Sequence, residues 1–191
     1  CYGACYYIGF VYLPEWLSAQ GLMDRGGALA INTGMTFLVI PLMPLFAIVG
    51  DSWLPRRTWI AIAMLVLGVA GWPLHEWMLA SGGSLASILI AHLVVFSLLA
   101  VPLGSGPALF VEMFPARDRL SGYSVAFNVG LGVIGGLTPL IASSLIAVSG
   151  LNTAPAIYMI LAAFGAVVAL GFVPDRSPMR PRRRKRQGSC I

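Results

Sequence analysis

Gly26–Gly50, GGALAINTGMTFLVIPLMPLFAIVG, is a run of 25 residues without a charged side chain. As a helix it is about 37 Å long at about 1.5 Å per residue, more than the roughly 30 Å hydrocarbon core of a bilayer. A charge at the centre of a crossing helix costs about 2.5 to 3.5 kcal/mol on insertion, so a charge-free run of this length is what lipid selects. Reading outward, apolar spans are expected at 1–17, 28–49, 58–80, 85–111, 121–148 and 153–173. Composition agrees, with 58% of residues hydrophobic and 10% charged. A soluble chain needs more polar side chains than that to cover its surface. The expected fold is all-α: a polytopic membrane protein with six transmembrane helices over 1–175 and a basic, disordered tail at 176–191.

The chain opens inside an apolar run with neither an initiator Met nor a charged leader region, so the front does not read as a signal peptide. A piece of a longer protein is expected, its first span cut short. The three cysteines, Cys1, Cys5 and Cys190, have no metal-ligand spacing and give no disulfide framework. No cofactor or metal is expected.

Charge sets the direction of the spans. Successive connections carry Arg25, then Arg56 and Arg57, then no Lys or Arg, then Arg117 and Arg119, then none, and the tail adds seven. Eleven basic residues fall on one side of the membrane against one on the other. The positive-inside rule makes the rich side cytoplasmic, places both ends of this segment there and implies the cell inner membrane. The tail run Arg180–Arg186 fits contact with anionic lipid at about 1 kcal/mol per charge, not nucleic acid. Trp16, Trp72 and Trp77 near one set of span ends and Trp53 and Trp59 near the other read as interface anchors. His75 and Glu76 read as solvated end residues. Gly132 and Gly136 form a GxxxG pair that would let helices approach.

Helix breakers survive in lipid where neighbours or a cavity satisfy the freed backbone. Here Pro41 and Pro44 interrupt the second span, Pro102 and Pro107 the fourth, and GLGVIGGLTP, Gly130–Pro139, the fifth. Polar side chains follow the same division: Tyr6 and Tyr7 in the first span, Asn32 and Thr36 in the second, His92 in the fourth, Asn128 in the fifth. Tyr6, Thr36, His92 and Asn128 fall within several Å of the midplane at about 1.5 Å per residue, where transporter sites lie. Spans one, two, four and five are therefore expected to line a polar face, with three and six facing lipid or packing as buttresses. Interhelical hydrogen bonding worth about 1 kcal/mol explains Asn32, Thr36 and Asn128 equally well. His92 is the ionisable residue set deep in a span, a candidate proton carrier or a neutral packing residue.

Four charges crowd into Glu112–Arg119 within VEMFPARDRLSGYS, Val111–Ser124. As a cytoplasmic turn they orient the protein, and Glu112 and Asp118 beside the arginines suggest ion pairs that lock helix ends. The string EMFPARDRLSG, Glu112–Gly122, followed by FNVG at 127–130 and GGLTP at 135–139, resembles the major facilitator superfamily, and within it the metabolite:proton symporter family. YYIGFVYLP, Tyr6–Pro14, is similar to the end of that family's seventh helix. The resemblance implies helices seven to twelve of a twelve-helix, alternating-access transporter whose amino-terminal six-helix half is the missing partner. It also implies a cytoplasmic gate of Arg56, Arg57, Glu112, Arg117, Asp118 and Arg119, and a cavity lined by Tyr6, Tyr7, Asn32, Thr36, His92 and Asn128. Its substrate would be a small polar metabolite, an organic acid or zwitterion, moved with protons. One departure bears on the gate: the loop GDSWLPRR, Gly50–Arg57, is two residues shorter than the family's pattern and its Asp is displaced. Two other functions stay open: a non-transporting six-helix scaffold or receptor, and an intramembrane serine protease. Against the protease, both His75 and His92 precede Ser105 of PLGSG, the wrong order for a serine–histidine dyad of the rhomboid type.

Overall fold

A computed structural model describes residues 1–173, and the basic tail lies outside the described residues. The chain is all helical in these residues: α1 (Tyr2–Tyr7), a π-helical turn (Ile8–Tyr12), α2 (Leu13–Ala19), α3 (Arg25–Ser52), α4 (Arg56–Ala80), α5 (Leu85–Glu112), α6 (Arg119–Phe127), a second π-helical segment (Asn128–Gly135), α7 (Gly136–Ser149) and α8 (Ala154–Gly171). Among the described residues five helices are long and apolar enough to cross a membrane: 25–52, 56–80, 85–112, 119–149 and 154–171. The first expected span, 1–17, is a rod broken into α1 and α2 at a π turn, and it is not among these five.

Proline causes this break and a similar one in the fifth span. Pro14 opens α2 directly after the first π turn, and Pro139 sits in the first turn of α7 directly after the second. Proline has no N–H and its ring crowds the carbonyl four residues back, so the helix widens ahead of it. Pro41, Pro44, Pro73, Pro102 and Pro107 are instead carried inside unbroken helices.

Apolar lipid gives helices little reason to associate through burial alone, so close packing at small residues holds them together. α3 and α5 run the same way, with Gly104 so close to Met43 that an added Cβ would stand 2.3 Å from its carbonyl oxygen. α4 packs on α8 where Gly68 faces Ala163 and Gly71 faces Met159. The third and sixth spans thus brace each other, with α5 against the other face of α4. α1 crosses the second π segment through Gly3, whose added Cβ would meet the Gly130 oxygen at 2.4 Å, and Gly135, which receives the Tyr7 ring. The expected GxxxG approach does not form: nothing lies within 4 Å of a Cβ built on Gly132 or Gly136. Apolar side chains cover much of the outside, including Phe37 at 69%, Val69 at 71% and Val148 at 89% exposure, a surface suited to lipid and not to water.

The connections gather at two ends. At one, Leu22 meets Gly83, which turns at φ +75°, and the Trp16 indole donates to the Asn152 carbonyl at 2.8 Å. Trp16 is fully buried, so it clamps α2 to the connection before α8 and is not an interface anchor. His75 is likewise buried, its ring edge-on to Trp16 at 4.9 Å, and is not a solvated end residue; Glu76 is exposed. At the other end the Arg56 guanidinium reaches Glu112, and the Arg57 guanidinium donates to the Val173 carbonyl at 2.9 Å.

Candidate functional site

Pro14 deprives the Phe10 carbonyl of the N–H that an α-helix would offer it. The Asn32 amide of α3 supplies the replacement, Nδ2 donating to the Phe10 oxygen at 3.1 Å. This bond crosses from the second span to the broken point of the first. Around Phe10 an aromatic ladder is built: Tyr6 stacks on it at 4.8 Å, Tyr7 stands edge-on to Tyr6 at 5.7 Å, and Phe96 of α5 lies 4.0 Å away on the other side. His92, one turn along α5, follows Phe96 at 5.7 Å. Tyr6, Tyr7, Asn32 and His92, drawn from three spans, are thereby joined through one residue. Thr36 lies one turn from Asn32 and donates to its carbonyl at 2.8 Å.

His92 is completely buried. Its Nδ1 lies 2.9 Å from the Ile88 carbonyl, which can only accept, so the ring proton is on Nδ1 and Nε2 is a bare acceptor. That Nε2 and the Asn32 Oδ1 are both buried without a hydrogen-bond partner. Buried polar atoms left unpaired are uncommon and costly, and they recur where a ligand, proton or water is handled. The Tyr6 and Tyr7 rings are half-buried. Asn128 stands apart: it is exposed, and its amide donates to Ser124 of its own helix at 2.8 Å.

Phe10 and Phe96, the residues that connect the others, were not among the candidates read from sequence. A signal existed: each lies four residues after a candidate, Tyr6 and His92, the spacing that puts two side chains on one helix face.

The charged end has its own geometry. Arg56, first residue of α4, is 8% exposed and binds two carboxylates, Asp51 at the end of α3 through Nε and Glu112 at the end of α5 through Nη1 at 2.8 Å. One guanidinium thus ties three helix ends, and the displaced Asp51 is part of it despite the shortened loop. Glu112 pairs as expected, with Oε1 engaged and Oε2 buried without a partner. Asp118 does not lock a helix end: its side chain makes no cap and no ion pair among the described residues. Arg117, Asp118 and Arg119 are exposed, and Arg119 donates to the Phe114 carbonyl at 3.3 Å. A cavity of about 320 Å³ lies above this end, lined by apolar groups such as Met64, Pro102, Phe110 and Leu170, and none of the candidate residues borders it.

Comparison with known proteins gives a consistent set. The chain is 28% identical over 170 residues to the ectoine/proline transporter ProP of Corynebacterium glutamicum, covering 87% of this chain and 32% of that protein. It is 26% identical over 172 residues to a citrate-proton symporter of Klebsiella pneumoniae, covering 90% and 38%. It is 26% identical over 170 residues to a putative proline/betaine transporter of Staphylococcus aureus, covering 87% and 34%. No family model matches the chain. No solved structure matches it. The chain spans about a third of the length of the curated relatives it matches. These relatives are transporters and not enzymes, and over nearly all of its own length the chain is homologous to proline/betaine and citrate-proton symporters.

Proposed function

We propose that this chain is one six-helix half of a secondary transporter that moves a small polar metabolite, an organic acid or zwitterion, across the cell inner membrane. On this reading the broken rod 2–19 is the sixth crossing, residues 1–175 form the bundle, and both ends of the segment are cytoplasmic. The amino-terminal six helices supply the opposite wall of the cavity, and the two halves rock about a midplane site. The observation that carries the reading is the meeting of Tyr6, Tyr7, Asn32 and His92 around Phe10, where two buried polar atoms lack partners. Thr36 extends this polar strip by one turn, and Asn128 completes it from the fifth span once the other half closes over that surface.

His92 is the proton carrier. Its Nε2 takes a proton from one compartment and releases it to the other as the halves rock, and the bond from Nδ1 to Ile88 fixes the ring while it does so. The gate is Asp51, Arg56 and Glu112 within this half, together with Arg57, while Arg117, Asp118 and Arg119 face the other half. In the complete transporter reconstituted in vesicles, His92→Ala is expected to abolish accumulation against a gradient while counterflow exchange persists. Undiminished accumulation refutes the coupling role, and loss of exchange as well assigns His92 to substrate binding instead.

A further inference from the structure

Between α2, the first turn of α3 and α7 lies a second cavity, of about 290 Å³, bordered by Tyr12, Pro14, Glu15, Arg25, Pro139 and Ser143. Arg25 Nη2 stands 3.3 Å from Glu15 Oε2 on its rim. Ser143 Oγ donates to the Tyr12 hydroxyl at 3.4 Å inside it. Stability does not explain the arginine. It sits in the first turn of α3, where the positive end of the helix dipole disfavours a cation. Its pairing is exposed, 71% for Arg25 and 57% for Glu15, and such pairs contribute only about 0 to 1 kcal/mol. It is also the sole basic residue that the connections place on that side of the membrane, against the bias that orients the chain.

The geometry points to a capture site for a small zwitterion, with Arg25 taking the carboxylate, Glu15 the ammonium or quaternary ammonium, and the Tyr12 and Ser143 hydroxyls lining the floor. Opposite charges side by side match a molecule that carries both, whereas a polyanion would set like charge against Glu15. The volume is at the small end of ligand pockets, which start at about 300 Å³, and admits one small metabolite. Tyr12 and Leu29, both on the cavity wall, lie two and three residues from Phe10 and Asn32. Along the helix axes a bound molecule would therefore stand about one turn, roughly 5 Å, from the level of the Phe10 ladder. This inference rests on the transport reading and deepens it by choosing the zwitterion from its two substrate classes and giving it a route.

The test is direct binding to the complete transporter in lipid nanodiscs, with glycine betaine as the zwitterionic probe and citrate as the anionic one. Glycine betaine is expected to bind, Arg25→Gln and Glu15→Gln each to weaken it at least tenfold, the exchanged pair Glu15→Arg with Arg25→Glu to recover most of the loss, and citrate not to compete. No binding, or single variants as tight as the parent, overturns the inference. If Asn32→Ala removes binding while Arg25→Gln does not, the probe occupies the midplane, and the capture site falls while the transport reading stands. Failure of the transport reading is scored separately, as absence of uptake by the complete transporter.

Discussion

Gly104 and Gly132 are both glycines inside membrane helices, yet they should respond to alanine in opposite ways. A Cβ on Gly104 has nowhere to go, because the Met43 carbonyl it would strike belongs to the backbone of α3. Overpacking of this kind costs about 1 to 3 kcal/mol. Gly132 has open space around it, so alanine there gains helix propensity, up to about 1 kcal/mol. Thermal unfolding in detergent should show Gly104→Ala less stable than the parent and Gly132→Ala equal to it or more stable. Equal melting for both would mean that α3 and α5 do not meet at Gly104. Sequence pointed to the wrong glycines, since GxxxG spacing says that a helix has a small face and not what that face meets. His75 was misplaced for the same reason. Distance along the span put it near an end, but Trp16 folds over it from another span.

At the scale of the element, the broken first rod is a repaired defect, and the repair can be measured. Asn32→Leu leaves the Phe10 carbonyl without a donor, at a cost of about 1 kcal/mol for an interhelical hydrogen bond in a membrane. Pro14→Ala returns an N–H to the helix, which then competes for the same carbonyl. A double-mutant cycle should therefore find Asn32→Leu costly beside the native Pro14 and close to neutral in the Pro14→Ala background. A coupling indistinguishable from zero would separate the amide from the break. The longer elements were legible in advance: the runs expected at 85–111 and 121–148 are helical at 85–112 and 119–149. Hydropathy fixes them because lipid thickness fixes how long an apolar helix must be. The π turns were less visible, since proline marks where a helix is disturbed and not whether it kinks, widens or continues, as Pro41 and Pro44 show within α3.

Across the whole molecule, the helix ends opposite Arg25 are held by one buried cation between two carboxylates. Removing a single partner from such a cluster costs about 3 to 5 kcal/mol when fully buried, because a charge is left uncompensated, whereas replacing all members with neutral groups costs far less. Asp51 is 46% exposed and can still serve Arg56, so Glu112→Ala should cost about 2 kcal/mol, below that range. The triple change Asp51→Asn, Arg56→Met, Glu112→Gln should be milder, with chemical denaturation as the readout. A triple variant less stable than Glu112→Ala would show that the charges themselves hold the bundle. The resemblance pointed to Arg56 and Glu112 as gate residues, but their meeting depends on how α4 and α5 are rotated, which no periodicity reports.

The central claim is that the two ends of this bundle face opposite sides of a membrane, so that a site between them can open to each in turn. Single cysteines at Ala19→Cys, Leu151→Cys, Trp53→Cys and Ala116→Cys, in a chain whose native cysteines are replaced by serine, test it with a membrane-impermeant maleimide on intact cells. The account predicts labelling of the first two in intact cells and of the last two only after permeabilisation. Positions 19 and 53 labelling from the same side would contradict it.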